Sequence, residues 1–396
     1  MFFEKSSYSG EVTAPPSKSF SHRALICAAL CAGRTSRIEN LLICDDTEAT
    51  IGCLRALGAD ISFDGNAATV TGIDAFSARS SEYLECGESA STLRFLLPVA
   101  MLGGKETVFE TGSRLADRPL DVYYEIALNQ RLSLCRDGNY FHVCGPLMPG
   151  YYRIPCDVSS QFASGLMLAL NCCKGVSVIE LTTEPVSAPY IRMTADVMRS
   201  FGADVDLTDN KIIIHGGGYH PCTYTVEGDW SGAAPFFALN ALGNSIEVKG
   251  LKNDTLQADR AIRLLLGKIR LSDALIDVSM CPDLVPLLMA VSPFFYGATL
   301  AGTGRMRFKE SSRAEVMAGE MKKFGFRADV RDDSVRIFGA DEIHAPDCPV
   351  DPHGDHRIAM ALSVLLSVTG GELTEPGCVA KSFPDYFNTL NALKIT

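Results

Sequence analysis

Eight basic residues lie in short segments rich in serine and glycine, a setting in which cations can gather around an anionic ligand. They are Lys18, Arg23, Arg94, Arg118, Lys309, Arg313, Arg357 and Lys381. The chain as a whole has a formal net charge of −11, so these cations are concentrated locally against the overall field. Arginine suits a planar two-point grip on carboxylate or phosphate, and lysine supplies a point charge. The mixture predicts a ligand that carries both kinds of group.

Acids that accompany these cations are candidates for proton transfer. Asp283 lies in "CPDLVP", Glu310 lies in "FKESS", and Asp355 and His356 lie together in "GDHR". A carboxylate beside a cation can serve as a general acid or base when its surroundings tune its pKa.

The same "DPHGDHR" segment contains residue types that bind zinc or manganese, namely Asp351, His353, Asp355 and His356. Adjacent residues at a helix start point in different directions, and no second histidine-rich segment would complete the coordination shell. A simpler interpretation makes Asp355 a helix N-cap, with His356 and Arg357 facing a ligand. We predict no metal ion.

The candidate residues stand where predicted helices begin. Four segments each have a polar start followed by an apolar run. They are "PPSKSFSHRALICAAL", "CGESASTLRFLLPVAML", "DVSSQFASGLMLAL" and "GDHRIAMALSVLL". A helix N-terminus exposes free N–H groups and the positive end of the helix dipole, and both favour anions. Helix starts and cations together predict a polyanion site.

An internal repeat indicates how these helices are arranged. "RALGADISFDGNAATVTG", "RSFGADVDLTDNKIIIHG" and "KKFGFRADVRDDSVRIFG" share a helix end, a glycine, a strand, a polar turn and a second strand. "LNQRLSLCRDGNYFHVCG" is a weaker relative. The unit is a helix followed by a hairpin, repeated up to six times, which predicts an α/β protein.

The composition restricts the classes of protein that remain. A chain of 396 residues with 47% hydrophobic and 21% charged residues suits a globular protein of two domains. The acidic balance disfavours a nucleic-acid partner, and no apolar run is long enough for a membrane span. Fourteen cysteines without a signal peptide favour free thiols and a cytoplasmic location. Neither GxxxxGKS nor GxGxxG appears, so an ATP- or dinucleotide-dependent reaction is not indicated.

Ten motifs in order resemble the 5-enolpyruvylshikimate-3-phosphate (EPSP) synthases, over residues 11–393. They are "PPSKSFSHRAL", "CGESASTLRFL", "RLADRPLD", "SSQFASGLMLAL", "SAPYIRMT", "VEGDWSGAAPFFALNAL", "CPDLVPLLMAVSPFFYG", "RFKESSRAEVM", "GDHRIAMAL" and "KSFPDYF". The resemblance implies transfer of the enolpyruvyl group of phosphoenolpyruvate to the 5-hydroxyl of shikimate 3-phosphate, on the pathway to chorismate and aromatic amino acids. It implies no cofactor, small-molecule substrates as the partners, and a monomer.

The fold implied by the resemblance has two similar domains, each with three βαβαββ-like units in an inside-out α/β barrel arrangement. Residues 1–16 and 228–396 would form a discontinuous phosphoenolpyruvate-side domain, and residues 17–227 an inserted shikimate 3-phosphate-side domain. The hinge would lie near 15–18 and 226–230. Helix N-termini would face the cleft.

Site residues are likewise implied by the resemblance. Those for shikimate 3-phosphate are Lys18, Ser19, Arg23, Ser159, Ser160, Gln161, Ser187, Tyr190, Asp283 and Lys309. Those for phosphoenolpyruvate are Lys18, Ala90, Arg118, Gln161, Arg313, Arg357 and Lys381. Arg94 and His356 are further candidate site residues, with no substrate assigned to them. Asp283 would accept the 5-hydroxyl proton, Glu310 would handle the methylene proton, and either Lys18 or Glu310 would be the proton donor.

The chain departs from the family pattern in one motif that bears on the anion site. The usual Gly-Asn-(Ala or Ser)-Gly-Thr reads "GESAS" here, so Ala90 replaces a glycine and Glu88 replaces an amide. The Ala90 methyl is expected to weaken binding of glyphosate, a longer phosphoenolpyruvate mimic, more than binding of the substrate. Arg305 stands where some relatives carry asparagine.

Two alternatives remain on the sequence alone. A UDP-N-acetylglucosamine enolpyruvyl transferase would share the fold and the donor, but typically carries Lys-Asn where this chain has Lys18-Ser19. A catalytically silent relative would only scaffold a larger assembly. The intact Lys18, Asp283, Glu310 and Arg313 argue against that second alternative.

Overall fold

The computed structural model describes residues 1–77, 83–184 and 187–395. The chain divides into two compact units, Pro16–Glu227, here called the inserted unit, and Met1–Pro15 with Gly228–Thr396, here called the flanking unit. Each unit has its own hydrophobic core. Within the described residues, no helix is both long enough and apolar enough to cross a membrane.

Helices supply most of the buried apolar residues in both units. The described helices are α1 (Lys18–Ala29), α2 (Asp45–Ala56), α3 (Ala90–Ala100), α4 (Ser113–Ala116), α5 (Asp121–Gln130), α6 (Gln161–Leu170), α7 (Ala188–Ser200), α8 (Trp230–Ala241), α9 (Ile262–Leu271), α10 (Val285–Val291), α11 (Arg313–Lys322), α12 (His356–Thr369) and α13 (Tyr386–Ala392).

The strands are short. They are β1 (Phe2–Phe3), β2 (Ser9–Thr13), β3 (Thr35–Glu39), β4 (Asp60–Asp64), β5 (Ala67–Thr71), β6 (Leu84–Gly87), β7 (Thr107–Thr111), β8 (Ser133–Asp137), β9 (Tyr140–Cys144), β10 (Tyr151–Ile154), β11 (Lys174–Leu181), β12 (Val205–Leu207), β13 (Lys211–Gly216), β14 (Thr223–Thr225), β15 (Ser245–Lys249), β16 (Ala274–Asp277), β17 (Gly297–Ala301), β18 (Ala328–Val330), β19 (Ser334–Phe338) and β20 (Gly371–Glu372).

Three sheets of the inserted unit follow one plan. Their strand orders are β14-β3-β5-β4, β6-β7-β9-β8 and β10-β11-β13-β12. In each sheet the first two strands are parallel and the remaining pairs are antiparallel. The helices cover one face of these sheets, so each sheet buries alternate residues, as Val205, Ile212 and Ile214 do.

The flanking unit contains a sheet of the same plan, β16-β17-β19-β18, with one parallel and two antiparallel pairs. Two smaller sheets accompany it, the parallel pair β15-β2 and the antiparallel pair β1-β20. The N-terminal strands β1 and β2 therefore pair with strands that come more than 230 residues later in the sequence.

The repeat found in the sequence corresponds to the antiparallel half of these sheets. The three clear copies form the hairpins β4–β5, β12–β13 and β18–β19, and the weaker copy forms β8–β9. The glycine of each clear copy, at 58, 202 and 325, has φ of +109°, +78° and +75°. Side chains rarely adopt this conformation, so glycine allows the chain to leave the helix and enter the strand. The predicted helix-and-hairpin unit is confirmed at these four places.

Candidate active site

Predicted site residues of the inserted unit lie at the N-terminal ends of its helices. Lys18 begins α1, Ala90 begins α3, Gln161 begins α6, and Ser187 precedes α7. Each start carries the positive end of its helix dipole, which favours an anion. The helix starts expected at the polar segments containing Lys18, Ala90 and Gln161 are confirmed.

Lys18 is held by an acid that the sequence analysis did not identify. Its Nζ lies 2.7 Å from Oδ2 of Asp46, in the first turn of α2, and only 5% of Asp46 is exposed. The Asp46 carbonyl accepts a hydrogen bond of 3.2 Å from the Thr92 hydroxyl of α3. Asp46 therefore ties the starts of α1, α2 and α3 together. Its only signal in the sequence is an acidic run, which also suits an ordinary helix start.

Arg23 is almost fully buried, and each of its guanidinium nitrogens has a partner within the unit. Nε donates to Oγ1 of Thr194 at 2.7 Å, and Nη1 donates to the Ser19 carbonyl at 2.8 Å. Nη2 donates to the Tyr190 carbonyl and to Oγ of Ser164. Burial lowers the pKa of Arg23 to about 10, which leaves the group charged at neutral pH. Arg23 thus fixes Ser19 and Tyr190, two other predicted ligand contacts, relative to each other.

A second hydrogen-bonded group joins α3 to α6. Arg94 donates from Nη1 to Oε1 of Gln161 at 2.9 Å, and Gln161 donates from Nε2 to Oγ of Ser91 at 3.0 Å. Nη2 of Arg94 donates to the Pro119 carbonyl at 2.8 Å, next to Arg118. The structure therefore brings Arg94, Gln161 and the Arg118 segment together in one network.

The serines predicted to bind phosphate lie at two helix starts. Ser160 is buried at the N-cap of α6, and Oγ of Ser159 accepts a hydrogen bond of 3.2 Å from the Gln161 N–H. Ser187 has φ of +58° and ψ of +36°, a left-handed conformation that costs a non-glycine residue roughly 1–2 kcal/mol. Such conformations are concentrated at functional sites, where the surrounding structure holds them in place.

In the flanking unit, Arg313 is the centre of a buried ion cluster. Its guanidinium contacts Asp283 at 2.7 Å, Glu310 at 2.7 Å and Asp355 at 2.8 Å. Arg313 is 1% exposed and Asp355 is fully buried. The side chain of Asp355 also accepts a hydrogen bond of 2.9 Å from the Arg357 N–H, which confirms its predicted role as the N-cap of α12. The structure therefore brings three predicted acids, Asp283, Glu310 and Asp355, together around the predicted cation Arg313.

Asp283 faces three cations. Nζ of Lys309 is 3.2 Å from its Oδ1, and Nη2 of Arg357 is 3.9 Å from its Oδ2. Burial disfavours the charged form of Asp283, but Lys309, Arg313 and Arg357 outweigh burial and hold its pKa well below the usual value. For Lys309, burial lowers the pKa of the ammonium group despite the nearby Asp283.

Arg357 contributes an incompletely satisfied guanidinium to this cluster. The residue is 7% exposed, and its Nε is buried with no hydrogen-bond partner among the described residues. A buried donor without an acceptor is costly, and an anionic ligand would remove that cost. His356 and Lys381 are also buried in this unit, at 2% and 8% exposure. Arg305 donates to the Ser279 carbonyl.

Asp351 and His353 of the "DPHGDHR" segment form hydrogen bonds with other residues of the chain. Oδ1 of Asp351 accepts a hydrogen bond of 2.7 Å from the His353 N–H, and Nε2 of His353 lies 3.3 Å from Oε1 of Glu320. The carboxylate of Asp355 contacts Nε of Arg313 at 2.8 Å. These contacts support the interpretation of the segment as a helix start.

Asp259 is a further buried acid that the sequence analysis missed. It is 2% exposed, it accepts a hydrogen bond from the Ser231 hydroxyl, and its Oδ1 has no partner among the described residues. Burial and then the nearby Asp283 raise the pKa of Asp259 to about 7. In sequence, "QADRAI" offers no sign of this, because burial depends on the tertiary structure.

The raised pKa of Asp259 predicts a pH-dependent stability. Between about pH 4 and 7 the folded state retains a proton that the unfolded chain has released, so the stability falls as the pH rises through this range. Asp259→Asn removes this titration. The free energy of unfolding of the variant, relative to that of the wild type, should therefore increase by about 2 kcal/mol between pH 5 and pH 8. Urea unfolding at the two pH values measures the difference. The exposed Asp254→Asn is the control, and an equal shift in both variants would contradict the prediction.

Two solved structures show which known fold this chain has. An EPSP synthase from Acinetobacter baumannii superimposes with a TM-score of 0.81 at 22% identity, covering 100% of this chain and 98% of that chain. The enolpyruvyl transferase NikO from Streptomyces tendae gives 0.75 at 18% identity, covering 99% and 96%. This chain therefore shares its fold with that EPSP synthase and with NikO.

Sequence relationships define the family more narrowly. The family model described as EPSP synthase (3-phosphoshikimate 1-carboxyvinyltransferase) matches residues 4–390. A 3-phosphoshikimate 1-carboxyvinyltransferase of Clostridium kluyveri is 36% identical over 97% of this chain and 95% of its own length. One of Clostridioides difficile is 33% identical over 98% and 96%. The chain belongs to the EPSP synthase family, and so to the transferases.

Proposed function

We propose that this protein transfers the enolpyruvyl group of phosphoenolpyruvate to the 5-hydroxyl of shikimate 3-phosphate and releases phosphate. Its family membership supports the overall reaction. The observation that carries the proposal is the buried cluster in which Asp283 lies against Lys309, Arg313 and Arg357. This cluster combines a base with cations that suit a carboxylate or a phosphate.

The two substrates are assigned to the residues predicted from the sequence. We assign shikimate 3-phosphate to Lys18, Ser19, Arg23, Ser159, Ser160, Gln161, Ser187, Tyr190, Asp283 and Lys309. We assign phosphoenolpyruvate to Lys18, Ala90, Arg118, Gln161, Arg313, Arg357 and Lys381. The unpartnered Nε of Arg357 supports the second assignment, because a ligand oxygen would satisfy it.

The reaction proceeds by addition and elimination. A proton is added to the methylene carbon of phosphoenolpyruvate, the neighbouring carbon becomes cationic, and the 5-oxygen attacks that carbon as Asp283 accepts the hydroxyl proton. The tetrahedral adduct then loses a proton from its new methyl group and expels phosphate, which restores the double bond. Glu310, 2.7 Å from Arg313, handles the methylene proton, and Lys18 is the other candidate for the donor.

The low pKa of Asp283 in the absence of ligand is compatible with its role as a base. Three cations stabilise its charge, which makes it a poor proton acceptor. When anionic phosphoenolpyruvate binds Arg313 and Arg357, part of that stabilisation is transferred to the ligand. The pKa of Asp283 then rises, so its basicity increases when the second substrate is present.

Phosphate release from phosphoenolpyruvate tests the proposed function. Release with shikimate 3-phosphate as acceptor, and none with UDP-N-acetylglucosamine, is the expected result. Release of phosphate with UDP-N-acetylglucosamine as acceptor, and none with shikimate 3-phosphate, would assign the chain to the UDP-N-acetylglucosamine enolpyruvyl transferases. Release with neither acceptor from a folded preparation would favour the silent relative.

The protein is further proposed to act as a cytoplasmic monomer. All of the assigned residues lie on one chain, and all fourteen cysteines are free thiols, which suits a reducing compartment.

Ala90 is proposed to discriminate against glyphosate. It is 5% exposed and is the first residue of α3, so its methyl group occupies space at the start of that helix. Ala90→Gly is expected to strengthen glyphosate inhibition by at least ten-fold, with less than a three-fold change in the KM for phosphoenolpyruvate. Inhibition titrations of both proteins measure the effect. Equal glyphosate affinities would show that the methyl group has no such role.

A further inference from the structure

Glu88 replaces an amide of the family motif, and its carboxylate has a definite place in the inserted unit. Oε1 accepts a hydrogen bond of 3.3 Å from the backbone N–H of Arg114, in the first turn of α4. The residue before α4 is Gly112, which has no side chain with which to cap the helix. Glu88, the residue after β6, therefore supplies the acceptor that an N-cap side chain would normally provide.

Gly112 leaves room for this carboxylate. A Cβ atom added at Gly112 would lie 2.1 Å from Oε1 of Glu88 and 2.6 Å from its Cδ, far inside contact distance. The backbone of Gly112 has φ of −67° and ψ of 158°, which any residue adopts. A side chain at position 112 would therefore have to displace the Glu88 carboxylate, so Gly112 leaves open the space that Glu88 occupies.

The contact lies at one end of the segment that carries Arg118. The Gly112 N–H donates to the Gly87 carbonyl at 2.7 Å, which fixes the segment beside Glu88, and the Arg118 N–H donates to the Leu115 carbonyl at 3.1 Å, which closes the turn. Beyond Arg118, the Pro119 carbonyl accepts from Arg94. The segment is therefore held on one side by Glu88 and on the other by Arg94.

We propose that Glu88 is a positioning residue that orients the Arg118 segment by capping α4, and that Gly112 is its steric complement. The proposal rests on the proposed function, because it takes Arg118 to be a ligand of phosphoenolpyruvate. It also accounts for an acid in the anion-binding motif, since the carboxylate is engaged by a backbone N–H of α4.

Kinetics of single and double variants test the pairing. Gly112→Ala is expected to raise the KM for phosphoenolpyruvate at least ten-fold, with less than a three-fold change in the KM for shikimate 3-phosphate. Glu88→Ala is expected to raise the same KM by five-fold or more. In the Glu88→Ala background, adding Gly112→Ala should change the KM by less than two-fold, because the clash is gone. Glu88→Gln keeps an acceptor oxygen and should stay within three-fold of the wild type.

Thermal unfolding provides a readout that does not depend on the reaction. Gly112→Ala should lower the melting temperature in the wild-type background and have little effect in the Glu88→Ala background. Gly104→Ala is the matched control, because a Cβ there meets nothing within 4 Å.

If Gly112→Ala is equally harmful in both backgrounds, or harmless in the wild type, the pairing of Gly112 with Glu88 is wrong. If the melting temperatures couple but the KM for phosphoenolpyruvate does not change, the positioning role is wrong. A wild-type protein without turnover would overturn the proposed function and leave the melting-temperature cycle interpretable.

Discussion

Asp283→Asn is expected to lower the turnover number about a thousand-fold, a loss typical of removing a positioned general base. Asparagine keeps the shape of the side chain but cannot accept the proton of the 5-hydroxyl. Arg313 retains two carboxylates in this variant, since Glu310 and Asp355 also contact it. The variant should therefore fold, and phosphate release with saturating substrates measures the loss.

The control for this variant is Asp273→Asn in the same unit. Asp273 is half exposed and pairs with Arg336, so its replacement should leave turnover unchanged within two-fold. A turnover number for Asp283→Asn within ten-fold of the wild type would remove Asp283 from the role of base.

Arg313→Met is expected to lower the free energy of unfolding by about 3–5 kcal/mol and to abolish measurable turnover. Methionine has a similar length but leaves Asp283, Glu310 and Asp355 without the cation that bridges them. Asp355 is fully buried, so leaving its carboxylate without Arg313 is costly, and Asp355 also caps α12. Urea unfolding, followed by tryptophan fluorescence of Trp230 in the same unit, measures the change.

Arg336→Met provides the matched comparison for Arg313→Met. Arg336 also pairs with a carboxylate, that of Asp273, but the pair lies at the surface, so its loss should cost at most about 1 kcal/mol. Equal stabilities of the two variants would show that the buried cluster contributes no more than a surface ion pair.

Much of the site could be predicted from the sequence because its signals are local. Lys18, Gln161 and Arg357 stand where a polar segment precedes an apolar helix, and hydrogen bonds within a few residues determine where a helix begins. Asp355 as an N-cap is of the same kind, since its acceptor serves an N–H two residues away. The hairpins were also predictable, because glycine and the turn residues act through neighbouring backbone.

The residues that were missed are those whose role depends on a partner far along the chain. Asp46 is 28 residues from Lys18, and nothing in the acidic run around it marks it as the partner. Glu88 is of the same kind, because its partner Arg114 lies 26 residues further along the chain. Asp259 belongs to the same group, because its raised pKa comes from burial and from Asp283.

The sequence by itself determined the helix starts, the repeated helix-and-hairpin unit and the set of cations and acids, because each depends on residues within one or two turns of chain. The tertiary structure alone decided which cation faces which acid, which acids lose contact with water and which side chain fills the space beside Gly112. These are matters of packing and electrostatics, and both depend on distance in space rather than separation along the chain.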